Sequence, residues 1–364
     1  MSERGRAGQD DGIFMRRALA LAERGWGQTA PNPMVGAVVV RDGAVVGEGW
    51  HAAFGGPHAE VGALAAAGEL ARGATLYVTL EPCNHHGKTA PCADAILAAG
   101  IARVVAAVRD PHALAGGGAE RLRDAGVAVD IGEEHAAARE MNAAFFHAHA
   151  SPRAFVQLKL ALSLDGALAD RTRNPGWLTG ESARREVHRL RADSDAVGVG
   201  LGTARIDDPL LTVRLGNMPR RQPARIVFDT SARLPLTSRL VKGARDVRTI
   251  VVCWAPDPAH AAALEHLGVE LLHAATLTDA LIALRALDIR SILVEGGAAL
   301  ATSLLSASLA DRLIIFRAPV VLGPDALHAF SGLPSARLAE AERWRIVRTA
   351  RFDDDEMTVY APPA

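Results

Sequence analysis

The sequence predicts an α/β protein built from two domains. Short apolar strand patterns alternate with helical patterns along both halves of the chain, which is typical of sheets covered by helices. The length of 364 residues exceeds one ordinary domain, and about 150 residues per domain gives two. No internal repeat relates the halves, so we expect two different α/β domains.

Composition indicates a soluble globular protein with aliphatic cores, because 49% of the residues are hydrophobic and only 4% are aromatic. The 40 basic and 41 acidic residues give a net charge of −1, which excludes the basic surface of a nucleic-acid or membrane-surface binder. The amino terminus lacks the apolar segment of a signal peptide, and no apolar run reaches the roughly 18 residues of a membrane helix. The three cysteines do not form a disulfide framework, so we expect a cytoplasmic protein with reduced thiols.

Local signals predict the elements of the first half in order. Residues 1–11 are polar and glycine-rich, which predicts a disordered tail before a helix at 13–24. The turn signal Asp42-Gly43 between two strand patterns predicts a β-hairpin. We then expect a βαβ unit and a further strand, so that a hairpin leads into parallel crossovers. The predicted elements after the hairpin are helices at 58–71 and 93–99 and strands at 74–79, 103–108 and 127–131.

The segment 147–153 is the predicted domain boundary, because the pattern of strands and helices starts again after it. We assign residues 12–150 to the first domain and residues 151–364 to the second. Helices between short apolar strands predict a second doubly wound sheet. The expected elements are strands at 155–160, 195–199, 225–229, 249–253, 291–294 and 312–316, and helices at 181–192, 277–287 and 298–306.

Three pieces of the first half carry metal-ligating residues: His58-Ala-Glu60, Pro82-Cys83 and Pro91-Cys92. Each potential ligand lies at or just before a predicted helix start, where the helix dipole favours a thiolate. One imidazole and two thiolates leave the fourth tetrahedral position open for water, which is the pattern of catalytic zinc. The sequence therefore predicts a zinc site formed by His58, Cys83 and Cys92.

Glu60 stands two residues after the predicted histidine ligand. Zinc lowers the pKa of a bound water to about 7, and Glu60 could carry its proton to a ring nitrogen and to the leaving amine. His-x-Glu followed by Pro-Cys is the signature of zinc-dependent base deaminases. For the two cysteines alone, buried thiols without a metal remain the alternative. The eight residues between the cysteines replace the usual two, and this longer loop offers additional polar groups.

The run Leu80-Glu-Pro-Cys83-Asn-His-His-Gly87-Lys-Thr-Ala-Pro-Cys92, with Pro31-Asn32-Pro33 and His58-Ala-Glu60, resembles the deaminase half of the bifunctional riboflavin-biosynthesis deaminase–reductase family. The resemblance extends from about Asp11 to the end of the chain. It implies a cytidine-deaminase-like three-layer α/β/α domain followed by a dihydrofolate-reductase-like α/β domain.

For the first domain, the resemblance implies that His58, Cys83 and Cys92 bind Zn²⁺ and that Glu60 is the proton shuttle. It also implies that four further residues bind the phosphoribosylaminopyrimidine substrate: Asn32, His51, His85 and Lys88. Two departures from the family are Ala90, where proline is usual, and His112-Ala113, where Asn-Pro is usual. The second departure leaves a substrate contact at that position open.

In the second half, Val294-Glu295-Gly296-Gly297 ends a predicted strand and opens a helix, so its backbone N–H groups could receive a nucleotide phosphate. The sequence contains no GxGxxG motif and does not support a conventional Rossmann fingerprint. Arginines 184, 185, 189 and 191 lie on one predicted helix and form either a phosphate clamp or a solvated face.

The resemblance adds successive reductase motifs: Lys159-Leu-Ala161-Leu-Ser-Leu-Asp165-Gly166, Trp177-Leu-Thr179, Gly200-Leu-Gly-Thr203, Asp207-Asp208-Pro209 and Glu295-Gly-Gly297. It implies that NADPH lies against Ala161, Trp177, Thr203, Asp207 and Gly297. It implies that the substrate faces Arg191, Leu211, Arg214 and Glu295. We expect Lys159 and Glu295 to perform the charge and proton work. Pro175 departs from the family, where a serine is common.

The resulting hypothesis is a cytoplasmic homo-oligomer, a dimer or a tetramer, that acts on a small molecule and binds neither nucleic acid nor membrane. It deaminates an aminopyrimidine ribonucleotide with zinc and then reduces the ribosyl group with NADPH. One alternative is a zinc-dependent nucleoside or tRNA-base deaminase, although the expected basic surface and short cysteine spacing are absent. The other is a nucleotide-sensing or zinc-structural protein with a degenerate second half.

Overall fold

A computed structural model describes residues 3–85, 90–112, 114–174, 176–214, 216 and 218–363, with the backbone alone for residues 3–10. The chain divides into two compact units, Met1–Ala150 and Ser151–Ala364. This division lies within the segment 147–153 that the sequence pattern marks. In the described part of the chain, no helix is both long enough and apolar enough to cross a membrane.

The first unit is built on a sheet that has five strands within the described residues, in the order β2-β1-β3-β4-β5. The strands are β1 Gly36–Arg41, β2 Ala44–Trp50, β3 Thr75–Val78, β4 Arg103–Ala106 and β5 Ala128–Ile131. Strand β1 pairs antiparallel with β2 and with β3, whereas β3, β4 and β5 are parallel. The predicted hairpin followed by parallel crossovers is therefore confirmed.

Helices cover both faces of this sheet. They are α1 Glu3–Ala22, α2 Ala59–Ala67, α3 Cys92–Ala99, α4 Gly118–Asp124, α5 His135–Met141 and α6 Ala143–Ala150. Alternate residues of β1 face opposite cores: Ala37 and Val39 pack with α2, α3 and α4, while Val38 and Val40 pack with α1, α5 and α6. The first unit therefore has the predicted three-layer α/β/α architecture.

Two glycines in β2 allow helix α2 to approach the sheet closely. A Cβ atom at Gly49 would lie 2.3 Å from the Ala59 carbonyl oxygen, and one at Gly47 would lie 2.3 Å from the Ala63 carbonyl oxygen. Only glycine fits at so short a separation. The contact fixes the first turn of α2, which carries the predicted site residue Glu60, against the sheet.

The expected disordered tail over residues 1–11 is wrong for the part that the structure describes, because α1 begins at Glu3. At the end of this segment Asp11 is buried and accepts hydrogen bonds from the Tyr77 hydroxyl (2.6 Å) and from Arg103 (2.8 and 3.0 Å). Burial raises the pKa of Asp11, but these hydrogen bonds outweigh it and lower the pKa below its usual value. The local composition did not reveal partners that lie far along the chain.

The main sheet of the second unit has nine strands among the described residues, in the order β11-β10-β9-β8-β12-β6-β13-β16-β15. The first seven of these are mutually parallel, and β16 and β15 are antiparallel additions. The strands are β6 Phe155–Leu162, β8 Ala196–Gly200, β9 Ala224–Phe228, β10 Thr249–Cys253, β11 Glu270–His273, β12 Ser291–Glu295, β13 Arg312–Arg317, β15 Arg345–Phe352 and β16 Asp355–Ala361. Strands β7 Ala167–Ala169 and β14 Leu327–His328 form a small separate sheet.

Helices pack on both faces of the second sheet as well. They are α7 Glu181–Ala192, α8 Leu201–Asp207, α9 Arg239–Lys242, α10 Pro258–His266, α11 Leu277–Ala286 and α12 Ala298–Ser306. Helices α11 and α12 bury their leucines against one face, and α8, α9 and α10 pack in a separate core. The parallel part of the sheet confirms the predicted α/β class.

Candidate active sites

The three predicted zinc ligands meet at the amino ends of two helices. His58 is the residue before α2, Cys92 is the first residue of α3, and Cys83 follows strand β3 in the loop between them. Their ligand atoms all lie within 4.8 Å of one another, with His58 Nδ1 3.2 Å from Cys92 Sγ and 3.5 Å from Cys83 Sγ. Bonds of about 2.0 and 2.3 Å to a tetrahedral zinc separate nitrogen and sulfur by about 3.5 Å. The group therefore has the donor atoms and the spacing that zinc requires.

The environment of Cys83 favours its thiolate form. Its Sγ receives a hydrogen bond from the Cys92 thiol, contacts His58, and lies 3.3 Å from the Cys92 backbone N–H. These interactions outweigh burial and lower the pKa of the Cys83 thiol to about 4. A thiolate is the form of cysteine that ligates zinc.

Glu60 lies in the first turn of α2, two residues beyond the amino cap His58, and is buried beside the ligand group. Burial raises the pKa of its carboxyl above the usual value. A raised pKa makes the carboxylate a stronger base, which suits it to general acid–base chemistry.

A cavity of about 320 Å³ opens on the ligand group and is lined by most of the predicted residues of the first site that the structure describes. It is lined by His58, Glu60 and Cys83 and by three of the predicted substrate residues, Asn32, His51 and His85. This volume suits a small-molecule ligand. Lys88, the fourth predicted substrate residue, lies outside the described residues.

Hydrogen bonds fix the orientation of Asn32 in this cavity. His51 Nδ1 lies 3.0 Å from the Pro57 carbonyl oxygen and donates to it, because a carbonyl oxygen can only accept. Burial lowers the pKa of His51 and so favours the neutral ring, which carries a single N–H group. His51 Nε2 is then an acceptor, and Asn32 Nδ2 donates to it across 3.2 Å. Asn32 therefore keeps its carbonyl oxygen available for an N–H group of a ligand.

Sequence reasoning missed several residues that line the cavity. Glu81 lies within the recognised motif, and its buried carboxylate accepts backbone hydrogen bonds from Asp110, Gly117 and Ala119. It thereby holds the loop between β4 and α4 and the start of α4 at the cavity edge. His112, where the sequence leaves a substrate contact open, also lines the cavity, and its Nδ1 accepts the N–H groups of the two residues at 114 and 115.

In the second unit, a partly buried carboxylate stands between two cations. Glu295 ends β12 and is in register with Lys159 of the neighbouring β6, whose Nζ lies 3.8 Å from Glu295 Oε2. Arg191 of α7 grips the same carboxylate at 2.6 and 3.0 Å. Burial raises the pKa of Glu295, but the charges of Arg191 and Lys159 lower it to about 2. Burial lowers the pKa of Lys159, and Glu295 opposes this shift.

Four of the predicted cofactor residues lie around this group. Gly297 caps α12, and a Cβ atom there would lie 3.2 Å from Thr203 Oγ1 near the start of α8, so the two helix starts are adjacent. Asp207 ends α8 and lies close enough to Lys159 for the two charges to interact. Ala161 lies two residues beyond Lys159 on β6.

The remaining predicted residues differ in how they can reach a ligand. Trp177 is 77% exposed, and the Arg184 guanidinium lies over its ring at 5.2 Å. Arg214 is exposed beside the Glu295 group. The Leu211 side chain is buried in the core, which leaves its backbone for any contact with substrate.

The arginines of α7 do not act as one phosphate clamp. Arg185 pairs with Glu181 and Arg189 with Glu186, and Arg184 contacts Trp177. Arg191 is the member of the run that joins the Glu295 group.

Comparison with known proteins gives two family matches. Residues 154–357 match the RibD C-terminal domain, and residues 9–108 match the cytidine and deoxycytidylate deaminase zinc-binding region. The riboflavin biosynthesis protein RibD of Aquifex aeolicus is 44% identical over 317 residues, covering 86% of this chain and 88% of that protein. The Escherichia coli RibD is 41% identical over 92% of this chain and 95% of its own length.

The chain belongs to the RibD family. Solved structures agree: Acinetobacter baumannii RibD has a TM-score of 0.85 at 37% identity, and it covers 98% of this chain and 100% of its own. A Thermotoga maritima protein described as a diaminohydroxyphosphoribosylaminopyrimidine deaminase and 5-amino-6-(5-phosphoribosylamino)uracil reductase has a TM-score of 0.84 at 36% identity, with the same coverage. The two RibD functions correspond to the two units, and the His58, Cys83 and Cys92 group lies in the zinc-binding region.

Replacing either cysteine ligand should remove the zinc. We expect Cys83→Ala and Cys92→Ala each to lower zinc affinity by more than about 100-fold, because two remaining ligands do not complete the site. Metal analysis of the purified full-length variants measures this. Cys253→Ala is the matched control, since this buried cysteine lies in the core of the second unit. Wild-type zinc content in Cys83→Ala would contradict the ligand assignment.

Proposed function

We propose that the first unit deaminates 2,5-diamino-6-(5-phosphoribosylamino)pyrimidin-4(3H)-one and that the second unit then reduces the ribosyl group of the product to ribityl phosphate with NADPH. The observation that carries this proposal is the cavity beside His58, Cys83 and Cys92, which also holds Glu60 and Asn32. The description of the Thermotoga maritima relative names the same pair of activities.

In the deaminase, the residues of the chain bind the ring and move protons. Bound zinc supplies a Lewis acid that activates water at neutral pH. The Asn32 carbonyl oxygen accepts a hydrogen bond from a ring N–H group and so orients the ring, while His51 fixes the Asn32 side chain. Glu60 takes a proton from the attacking water and delivers protons to the ring nitrogen and to the amine, which leaves as ammonia.

In the reductase, NADPH supplies the hydride when it is bound. We assign its phosphate to the adjacent starts of α8 and α12, where Thr203 and Gly297 lie. Hydride addition at C1′ of the opened ribosylamine would require a proton at the adjacent nitrogen. Lys159 is the proton donor in this proposal, because burial makes its ammonium more acidic. Glu295 holds Lys159 and Arg191 in place.

The other predicted contacts complete the proposal. Lys88 binds the substrate phosphate in the deaminase, and His85 contacts the substrate beside it. Ala161, Trp177 and Asp207 lie against NADPH, and Arg191, Leu211 and Arg214 face the reductase substrate. We further propose that the protein is a cytoplasmic dimer or tetramer, which light scattering on the purified chain tests.

Glu60→Gln separates the two activities. Gln cannot take up the proton, so ammonia release should fall by at least about 100-fold. Zinc content should stay at the wild-type value, and NADPH oxidation on supplied deaminated intermediate should persist. Ammonia release, metal analysis and NADPH absorbance measure the three quantities. Loss of zinc would mean that Glu60 is a ligand and that its assignment as a proton shuttle is wrong.

Gly297→Val tests the cofactor site. The backbone at Gly297 (φ −79°, ψ 174°) is accessible to valine, so the added side chain acts through its bulk. Obstructing hydrogen bonds to a charged phosphate costs about 1.5–3 kcal/mol, which raises the NADPH Kd about ten-fold or more. Titration of NADPH fluorescence measures the Kd, and unchanged ammonia release is the control. Equal NADPH affinity in both proteins would contradict the phosphate assignment.

A further inference from the structure

Arg214 is presented by a short segment whose backbone is held from several sides. We call residues 211–214 the arginine arm. Leu211 anchors the arm in the core, where its side chain is 2% exposed, and its backbone adopts a left-handed conformation with φ 52°. A β-turn or loop residue with a leucine side chain rarely takes this conformation unless the surroundings impose it.

Each residue after Leu211 is held by a different side chain. Arg191 Nη1 donates to the Thr212 carbonyl oxygen at 3.0 Å. The Gln222 side chain makes two hydrogen bonds with the Val213 backbone: its Oε1 accepts the N–H at 2.8 Å, and its Nε2 donates to the carbonyl oxygen at 3.0 Å. His188 Nδ1 accepts the N–H of Arg214 at 3.1 Å. The arm is therefore fixed at two successive peptide units, through backbone atoms of three successive residues.

The Arg214 side chain at the end of the arm is suited to an anionic ligand. The described part of the chain places no carboxylate within salt-bridge distance of its guanidinium, and the pKa of Arg214 is lowered by burial and by the charge of Arg191. The charge of Arg191 is balanced by Glu295, which grips it at two atoms. Arg214 is thus an uncompensated cation beside the Lys159, Glu295 and Arg191 group.

His188 is in the protonation state that lets its ring accept the hydrogen bond from the Arg214 N–H. It lies one turn before Arg191 on α7, on the same face of the helix, and is 6% exposed. Burial and the charges of Arg191 and Arg214 lower the pKa of His188 to about 4. The ring is therefore neutral at pH 7, with Nδ1 as the acceptor and the proton on Nε2.

We propose that His188 and Gln222 are positioning residues of the reductase, which hold the arginine arm so that Arg214 binds the phosphate of the phosphorylated sugar substrate. This inference rests on the proposed reductase function. Neither residue touches the reacting atoms, and both act through the position of Arg214. Their effect should therefore fall on substrate affinity rather than on the chemical step.

Replacing His188 by asparagine and by glutamine distinguishes a role in positioning Arg214 from a role in packing alone. Asparagine places its Oδ1 where Nδ1 stands and can accept the Arg214 N–H, whereas glutamine places its amide group farther out. Glutamine is the better helix former of the two, so a purely structural role predicts that His188→Gln is the milder change. Positioning predicts the opposite order.

The experiment uses the full-length, zinc-loaded protein with NADPH and the deaminated intermediate. We expect His188→Gln and His188→Leu to raise the substrate KM about ten-fold, as for a lost buried hydrogen bond, with kcat nearly unchanged. His188→Asn should stay within about three-fold of the wild-type KM, because it retains the acceptor. Gln222→Leu should raise the KM in the same direction. The KM for NADPH and the rate of ammonia release should not change.

His266→Gln is the matched control, because His266 is exposed at the end of α10. The proposal is overturned if His188→Asn raises the KM as much as His188→Gln, or if the KM of all variants follows their melting temperatures. Wild-type protein that does not oxidise NADPH with the intermediate would overturn the proposed reductase function, and the inference with it. An active wild type with an unchanged KM in His188→Gln would overturn the inference alone.

Discussion

Both candidate sites depend on one constraint of parallel sheets: the carboxyl end of each strand and the amino end of the helix that follows lie along the same edge. In the first unit, Cys83 follows β3 and Cys92 begins α3, and His58 joins them from the start of α2. In the second unit, Glu295 ends β12 and Gly297 begins α12. Residues that are far apart in the sequence are thereby brought within a few ångströms.

The side chains at this edge of the sheet carry negative charge in the first unit and mainly positive charge in the second. In the first unit, the amino ends of α2 and α3 face the cysteine group, and hydrogen bonds from Cys92 and His58 lower the pKa of Cys83 to about 4. In the second unit, the negative charge of Glu295 is surrounded by Lys159 and Arg191, and Arg214 adds a further cation. The first arrangement suits a metal that activates water, and the second suits an anionic cofactor and a phosphorylated substrate.

The zinc ligands could be predicted from the sequence because their residue types and their positions at helix starts restrict the chemistry strongly. The parallel strands could be predicted because strands buried on both faces are continuous apolar runs in the sequence. Strands β15 and β16 were missed because they form an outer hairpin with arginine and aspartate among their residues. The role of Asp11 was missed because Tyr77 and Arg103 are distant in the sequence. His188 was missed because a single histidine on a helix gives no signal until its partner, the Arg214 N–H, is known.

We propose that one chain performs the two reactions in order on one substrate. A time course of ammonia release and NADPH oxidation, measured together on the diaminopyrimidine ribonucleotide with wild-type protein, tests it most directly. The account predicts that NADPH oxidation lags behind ammonia release and that the two reach equal amounts at completion. NADPH oxidation without earlier ammonia release, or ammonia release with no NADPH oxidation at all, would contradict it.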